Sequence, residues 1–211
     1  MECPTDSFME AASRVLAAEG YAEPEYVAAF LPDTYEMYLD LGSRCHREAS
    51  YELPRQLLDP DRLEKASKLG LTPVEVAILA SIVEEERQQD RRAPQDCPSL
   101  PLNRLKRGMR LQADPTVKFA TGDSHSRRIR GRHLSLKSPY NTYLNAGLPP
   151  GPIRVADGRA IDAVLSAPEA PYLYMCAKPD FSGYHDFASD YQTHRANARR
   201  YQKALNERSI K

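Results

Sequence analysis

Three glutamates, Glu84, Glu85 and Glu86, follow directly on the apolar run Val76 to Val83. A carboxyl group at the end of a buried helix can keep its proton near neutral pH, because loss of water disfavours the charged form, and a protonated carboxyl is a general acid. At about 100° per residue, Val74, Ile78 and Ile82 share one face of such a helix, Val76, Leu79 and Val83 a second, and Ala77, Ala80, Ser81 and Glu84 a third. Glu84 then leaves the helix on its small-residue side, beside an apolar flank, and is the expected acid. Glu86 is turned by about 200° from Glu84, which disfavours a hydrolase that uses both carboxylates. Taken alone, the triplet also reads as a solvated helix end.

The element carrying these acids is well marked. Thr72 is placed to cap it, Pro73 suits its first position, and Glu75 stands where a capping-box carboxylate reaches back. Because the helix is apolar nearly all round, it should be buried. Before it, residues Asp6 to Glu19 have helical spacing ended by Gly20. Pro24 opens a short helical stretch to Ala29, and Phe30 to Leu39 alternates like a strand. Asp40 to Leu58 reads as loop or weak helix, and a helix from Asp59 or Asp61 to Leu69 ends at Gly70. Arg87 to Pro101 is rich in Pro and Arg and reads as a surface loop. Asn103 opens a helical turn closed by Gly108, and a strand is expected around Thr116 to Phe119. Rigid, turn-dense segments follow at Ser138 to Tyr143 and Gly147 to Ile153. The chain closes with a helix over Ala156 to Leu165, strands Tyr172 to Ala177 and His185 to Ala188, and a helix from Asp190 to Leu205. The expected fold class is α+β, with helices packed with a small, mainly antiparallel sheet.

Composition narrows the function. A chain of 211 residues with 41% hydrophobic content can bury a proper core, and 29 basic against 29 acidic residues give no global pull toward nucleic acid or membrane. Arg127 to His133 is a local basic run without interleaved aromatics, so a solvated loop is the first reading and an anion or nucleic-acid site the second. Cys3, Cys45, Cys97 and Cys176 are far apart and pair with no histidine at metal-ligand spacing, so free thiols, no metal and no cofactor are expected. The apolar run Val76 to Val83 is far shorter than the roughly 20 residues of a membrane span, and the first residues do not resemble a signal peptide.

Several strings then occur in order: Leu31-Pro-Asp-Thr-Tyr35, Ala80-Ser-Ile-Val-Glu-Glu-Glu86, Asn103-Arg-Leu, Gly108-Met-Arg-Leu-Gln-Ala-Asp-Pro-Thr-Val117, Pro139-Tyr-Asn-Thr-Tyr143, Gly147-Leu-Pro-Pro-Gly-Pro-Ile153, Tyr172-Leu-Tyr and His185-Asp-Phe187. Together they resemble the endolytic murein transglycosylase family, YceG-like, in its catalytic part. The resemblance implies an N-terminal helical segment over 1–28 and a catalytic domain over 29–211, with 87–101 departing from the family wording. It implies scission of the β-1,4 bond between N-acetylmuramic acid and N-acetylglucosamine, leaving a 1,6-anhydromuramoyl end, with Glu84 as the single acid and base. It also implies peptidoglycan glycan strands as substrate, synthases as partners, and a place at the periplasmic face of the inner membrane on a single-pass anchor, a segment not present in these residues.

Within that resemblance, Gln112, Asn141 and Thr142 are candidates to hold acetamido or hydroxyl groups, Tyr140 and Tyr143 to offer ring faces, and His185 to orient a polar partner. Each can also be read as a structural hydrogen bond or core aromatic. Asp114, before a proline, reads as a turn cap. A rival to the enzyme is a remnant that binds glycan through Tyr140, Asn141 and Gln112 without cutting it.

Overall fold

Asp59 accepts a hydrogen bond from the Arg62 amide at 2.9 Å, and Pro60 takes the first helical position, so helix α1 runs Pro60–Leu69. It stops at Gly70, whose φ of +72° lies in the left-handed region. Nothing stands within 4 Å of where a Cβ would be, so the cost of a side chain there is conformational alone. Gly70→Ala is expected to lower stability by about 1 kcal/mol, seen as a lower urea midpoint at unchanged slope.

The next helix, α2, covers Pro73–Gln89. Its start is the predicted reciprocal box: the Thr72 amide donates to Glu75 Oε2 at 2.8 Å, and the Glu75 amide donates to Thr72 Oγ1 at 3.3 Å. Val76 to Val83 are all buried, as an all-round apolar helix requires.

The computed structural model describes residues 13–14, 16–18, 20–30, 32, 59–89, 98–122, 129, 131–182 and 184–208, with 87–89 described by backbone only. Most of the predicted helix Asp6 to Glu19, the predicted strand Phe30 to Leu39, the stretch Asp40 to Leu58, and Cys3, Cys45 and Cys97 lie outside these residues. Among the described residues no single helix is long and apolar enough to cross a membrane.

The chain forms two compact units, Met1–Ser81 with Pro150–Leu165, and Ile82–Pro149 with Ser166–Lys211. In the first, a 3-10 helix over Glu23–Ala29 buries Ala28 and Ala29. Arg62 of α1 reaches Asp162 with both ends of its fork, at 2.8 and 3.0 Å. The small-residue stripe of α2 is used for packing: Ser81 Oγ donates to the Ile78 carbonyl at 2.7 Å and accepts from the Ile153 amide at 3.1 Å.

In the second unit, α3 covers Ser99–Lys106, α4 Asp114–Thr121, α5 Gly131–Leu134, and, after α6 (Gly158–Leu165) of the first unit, α7 covers Tyr191–Glu207. Strands β1, Tyr174–Ala177, and β2, His185–Ala188, pair antiparallel, with Tyr174 opposite Ala188 and Ala177 opposite His185. Helix α7, capped by Asp190 on the Thr193 amide at 2.8 Å, packs on both strands. The α+β expectation holds.

Two expectations need correction. Thr116 to Phe119 is helical: Pro115 sits in the first turn of α4 behind the acidic Asp114, and Gly122, at φ +66°, ends it. Arg87 to Pro101 is not one surface loop, since α2 continues to Gln89 and Ser99, Leu100 and Pro101 form the buried first turn of α3. Proline is tolerated there because a first-turn amide has no partner inside the helix.

Candidate active site

The last turns of α2 present Ile82, Val83 and Glu86 to a cavity of about 400 Å³ in the second unit. Steps of three and four residues put the Glu86 side chain over the same face as those two apolar residues. Leu100, Pro101 and Arg104 of α3 continue the wall, followed by residues 111–114, Tyr143, Met175 of β1 and His194 of α7. All the described residues that line the cavity belong to this unit.

Glu86 has the environment of a stored proton. Burial, and then the nearby charge of Asp114, raise its pKa from 4.5 to about 7, against a smaller opposing pull from Lys118. Asp114 Oδ1 accepts a 2.6 Å hydrogen bond from the Tyr143 hydroxyl. Burial, that bond, and the charges of Asp114 and Glu86 push the phenol of Tyr143 up, so it stays a donor. A protonated carboxyl, a second carboxyl and a phenol therefore line one space.

The residues holding this set in place were expected at the substrate. Asn141 is fully buried: its amide nitrogen donates to the Leu134 carbonyl at 3.0 Å and the Leu136 carbonyl at 2.8 Å, and its oxygen accepts from the Tyr143 amide at 3.0 Å. It fixes the turn that delivers Tyr143. Thr142, equally buried, accepts from the Ala113 amide at 3.0 Å, shares a 2.8 Å hydroxyl contact with Thr116, and offers its carbonyl to the Gln112 amide at 3.2 Å. That anchors the segment leading into Asp114. Both side chains are saturated by the protein.

Gln112 does line the cavity, at the left-handed φ of +52°. Its Oε1 accepts from Arg104 Nη1 at 3.2 Å. Arg104 is buried and ties the neighbouring chain together, Nε donating to the Leu173 carbonyl at 2.6 Å and Nη1 to those of Leu111 at 2.7 Å and Arg110 at 3.2 Å. Its guanidinium also lies 5.2 Å from the centre of the Tyr174 ring. The His194 ring stacks on Tyr174 at 5.1 Å. Burial, and then the Arg104 charge, hold that imidazole below its ordinary pKa and hence neutral.

The other expected site residues lie apart. Glu84 is partly exposed and is not among the described residues that line the cavity. Tyr140 packs on Phe119 with ring centres 4.7 Å apart, and His185 sits in β2 opposite Ala177. Neither lines the cavity. Most of the basic run Arg127 to His133 lies outside the described residues; Arg132 Nε donates to its neighbour His133 at 3.1 Å.

Sequence reading did not single out Glu86, Asp114, Arg104 and His194 as lining one cavity. For Glu86 the signal was present: it follows Ile82 by four residues and Val83 by three, the spacing that gives a carboxyl an apolar wall. For Arg104 and His194 nothing local distinguishes a lining residue from a surface one.

The model of the YceG-like family matches residues 5–200. An endolytic murein transglycosylase of Bacillus subtilis is 39% identical over 132 residues, which are 62% of this chain and 35% of that protein. One of Streptococcus pneumoniae is 32% identical over 120 residues, 51% of this chain and 20% of that protein. The crystal structure of a YceG-like protein from Listeria monocytogenes superposes with a TM-score of 0.68 at 25% identity, covering 89% of this chain and 63% of that one. The chain thus spans only about a third or less of the two transglycosylases it matches. A match running from residue 5 to residue 200 of 211 places the chain in the YceG-like family.

Proposed function

We propose that this chain carries the scission chemistry of an endolytic murein transglycosylase, cutting the β-1,4 bond between N-acetylmuramic acid and N-acetylglucosamine within peptidoglycan strands, with Glu86 in place of the expected Glu84 as its acid and base. The observation that carries the reading is a carboxyl poised at about pH 7 on the wall of a cavity of ligand size. The names of the relatives supply the substrate class.

Glu86 first gives its proton to the glycosidic oxygen as the bond from that oxygen to the anomeric carbon breaks, its electron pair going to the leaving oxygen. The muramoyl 6-hydroxyl oxygen then closes on the anomeric carbon, and the Glu86 carboxylate takes the proton it releases. The products are a 1,6-anhydro ring and a free 4-hydroxyl; no water is consumed. Asp114 keeps the Glu86 proton in place by its charge and, bonded to Tyr143, is itself held in position.

The test is incubation of the chain with peptidoglycan and mass analysis of the released ends. Anhydro-ended fragments support the proposal, and reducing ends alone would replace it with hydrolysis. A pH series adds a second check. Scission requires protonated Glu86, so the rate should fall as pH rises through about 7. Asp114→Asn removes a charge that raises this pKa, so in that variant the fall should begin at lower pH.

A further inference from the structure

Arg104 is a buried cation, 6% exposed, on the wall of the cavity. It makes no ion pair with any described residue, and neither Glu86 nor Asp114 is among the groups that bear on its charge. A buried charge without a counter-charge is costly unless something supplies one. The carbonyls of Leu173, Leu111 and Arg110 and Oε1 of Gln112 take the protons of Nε and Nη1. The other terminal nitrogen, Nη2, donates to no described residue.

Beside it, the Gln112 amide is oriented by that same contact. With Oε1 turned to Arg104, its nitrogen is the end left over, and it too donates to no described residue. Two donors and a positive charge that no described residue answers, on one cavity wall, call for a ligand group that only accepts, carries negative charge and is compact. A sugar hydroxyl or acetamide meets only part of that description; a carboxylate meets all of it.

We infer that Arg104 and Gln112 form a subsite for a carboxylate carried on the muramoyl side of the glycan strand. The inference rests on the glycan reading proposed above. That anion has two sources: the lactyl group itself where the strand is free of peptide, or the stem peptide where the lactyl carboxyl is tied up as an amide. In either case the subsite fixes which sugar lies beside Glu86, since N-acetylglucosamine carries no such group.

The test compares ligands on one protein. In the Glu86→Gln chain, which binds without cutting, affinities are measured for a peptide-free muramoyl oligosaccharide, its lactyl carboxamide, a stem-peptide-bearing strand and a chito-oligosaccharide. The peptide-free carboxylate form should bind about tenfold tighter than its carboxamide, as expected for a charge-assisted hydrogen bond, and the difference should shrink with added salt. If the anion comes from the peptide instead, the peptide-bearing strand shows the preference over the carboxamide.

Because truncating Arg104 would also free several backbone carbonyls, the protein variant is Gln112→Glu. This near-isosteric change sets an internal carboxylate against Arg104 and should erase the preference while leaving the chain folded. Equal affinity for all charged and uncharged muramoyl ligands, or a preference that survives Gln112→Glu, overturns the subsite but leaves glycan binding standing. No affinity for any glycan removes both the subsite and the function on which it rests.

Discussion

Glu86→Gln should reduce anhydro-product formation by roughly 10²- to 10⁴-fold, the range for loss of a general acid and base, while Glu84→Gln leaves it nearly unchanged. Both substitutions replace a carboxyl by an amide at the same helix end, so they differ in which face carries the change. Glu86 shares its face with Ile82 and Val83 and stands in the cavity, where its proton is retained to about pH 7. Glutamine keeps the shape of that side chain but has no proton to give. Thermal midpoints separate chemistry from folding. In the folded chain the Glu86 carboxyl titrates higher than when unfolded, so its contribution to stability is complete below about pH 4.5 and lost as pH rises to about 7. The Glu86→Gln chain should therefore be no less stable than the unsubstituted one at pH 8. An inactive Glu84→Gln beside an active Glu86→Gln would return the acid to Glu84.

Asn141→Ala should cost about 3 kcal/mol of folding stability, because it leaves two part-buried carbonyls and one amide without this partner and opens a void where a fully buried side chain stood. The three bonds run to Leu134, Leu136 and Tyr143. Urea denaturation reads the loss directly. A residue that held substrate would behave differently, losing glycan affinity at nearly unchanged stability. Since Tyr143 depends on Asn141 for its place, activity should fall as well, but at temperatures where the variant is folded the fall should be smaller than that of Glu86→Gln.

Where local chemistry decides, sequence was enough. The cap at Thr72, the helix starts placed at Asp59 or Asp61 and near Asp190, the stop at Gly70 and the buried run of α2 are all written within a few residues of where they act, and the structure starts those two helices behind Asp59 and Asp190. The strand expected at Thr116 to Phe119 failed because Thr, Val and Phe favour strands weakly, and a proline in a first turn with a glycine eight residues past Asp114 outweighs them. The site was half legible. The helix proposed to bear the acid was marked in the sequence, yet which of its carboxyls faces the cavity depends on what packs against each face, and the small-residue stripe that favoured Glu84 is met at Ser81 by Ile153, 72 residues away. Asn141 and Thr142 are polar residues in a rigid turn, and periodicity cannot tell whether such a turn spends its hydrogen bonds inward or outward.

Gln112 carries a further consequence. Its backbone takes a conformation that glycine adopts freely and a long side chain does not, while its amide oxygen steadies Arg104. The two roles pull the choice of residue in opposite directions. Glycine would relax the turn and abandon the arginine, and a β-branched residue would fail at both. The position is therefore a compromise that neither backbone comfort nor side-chain chemistry alone would select, and stabilising consensus-style redesign of this loop should be expected to erode the cavity it borders.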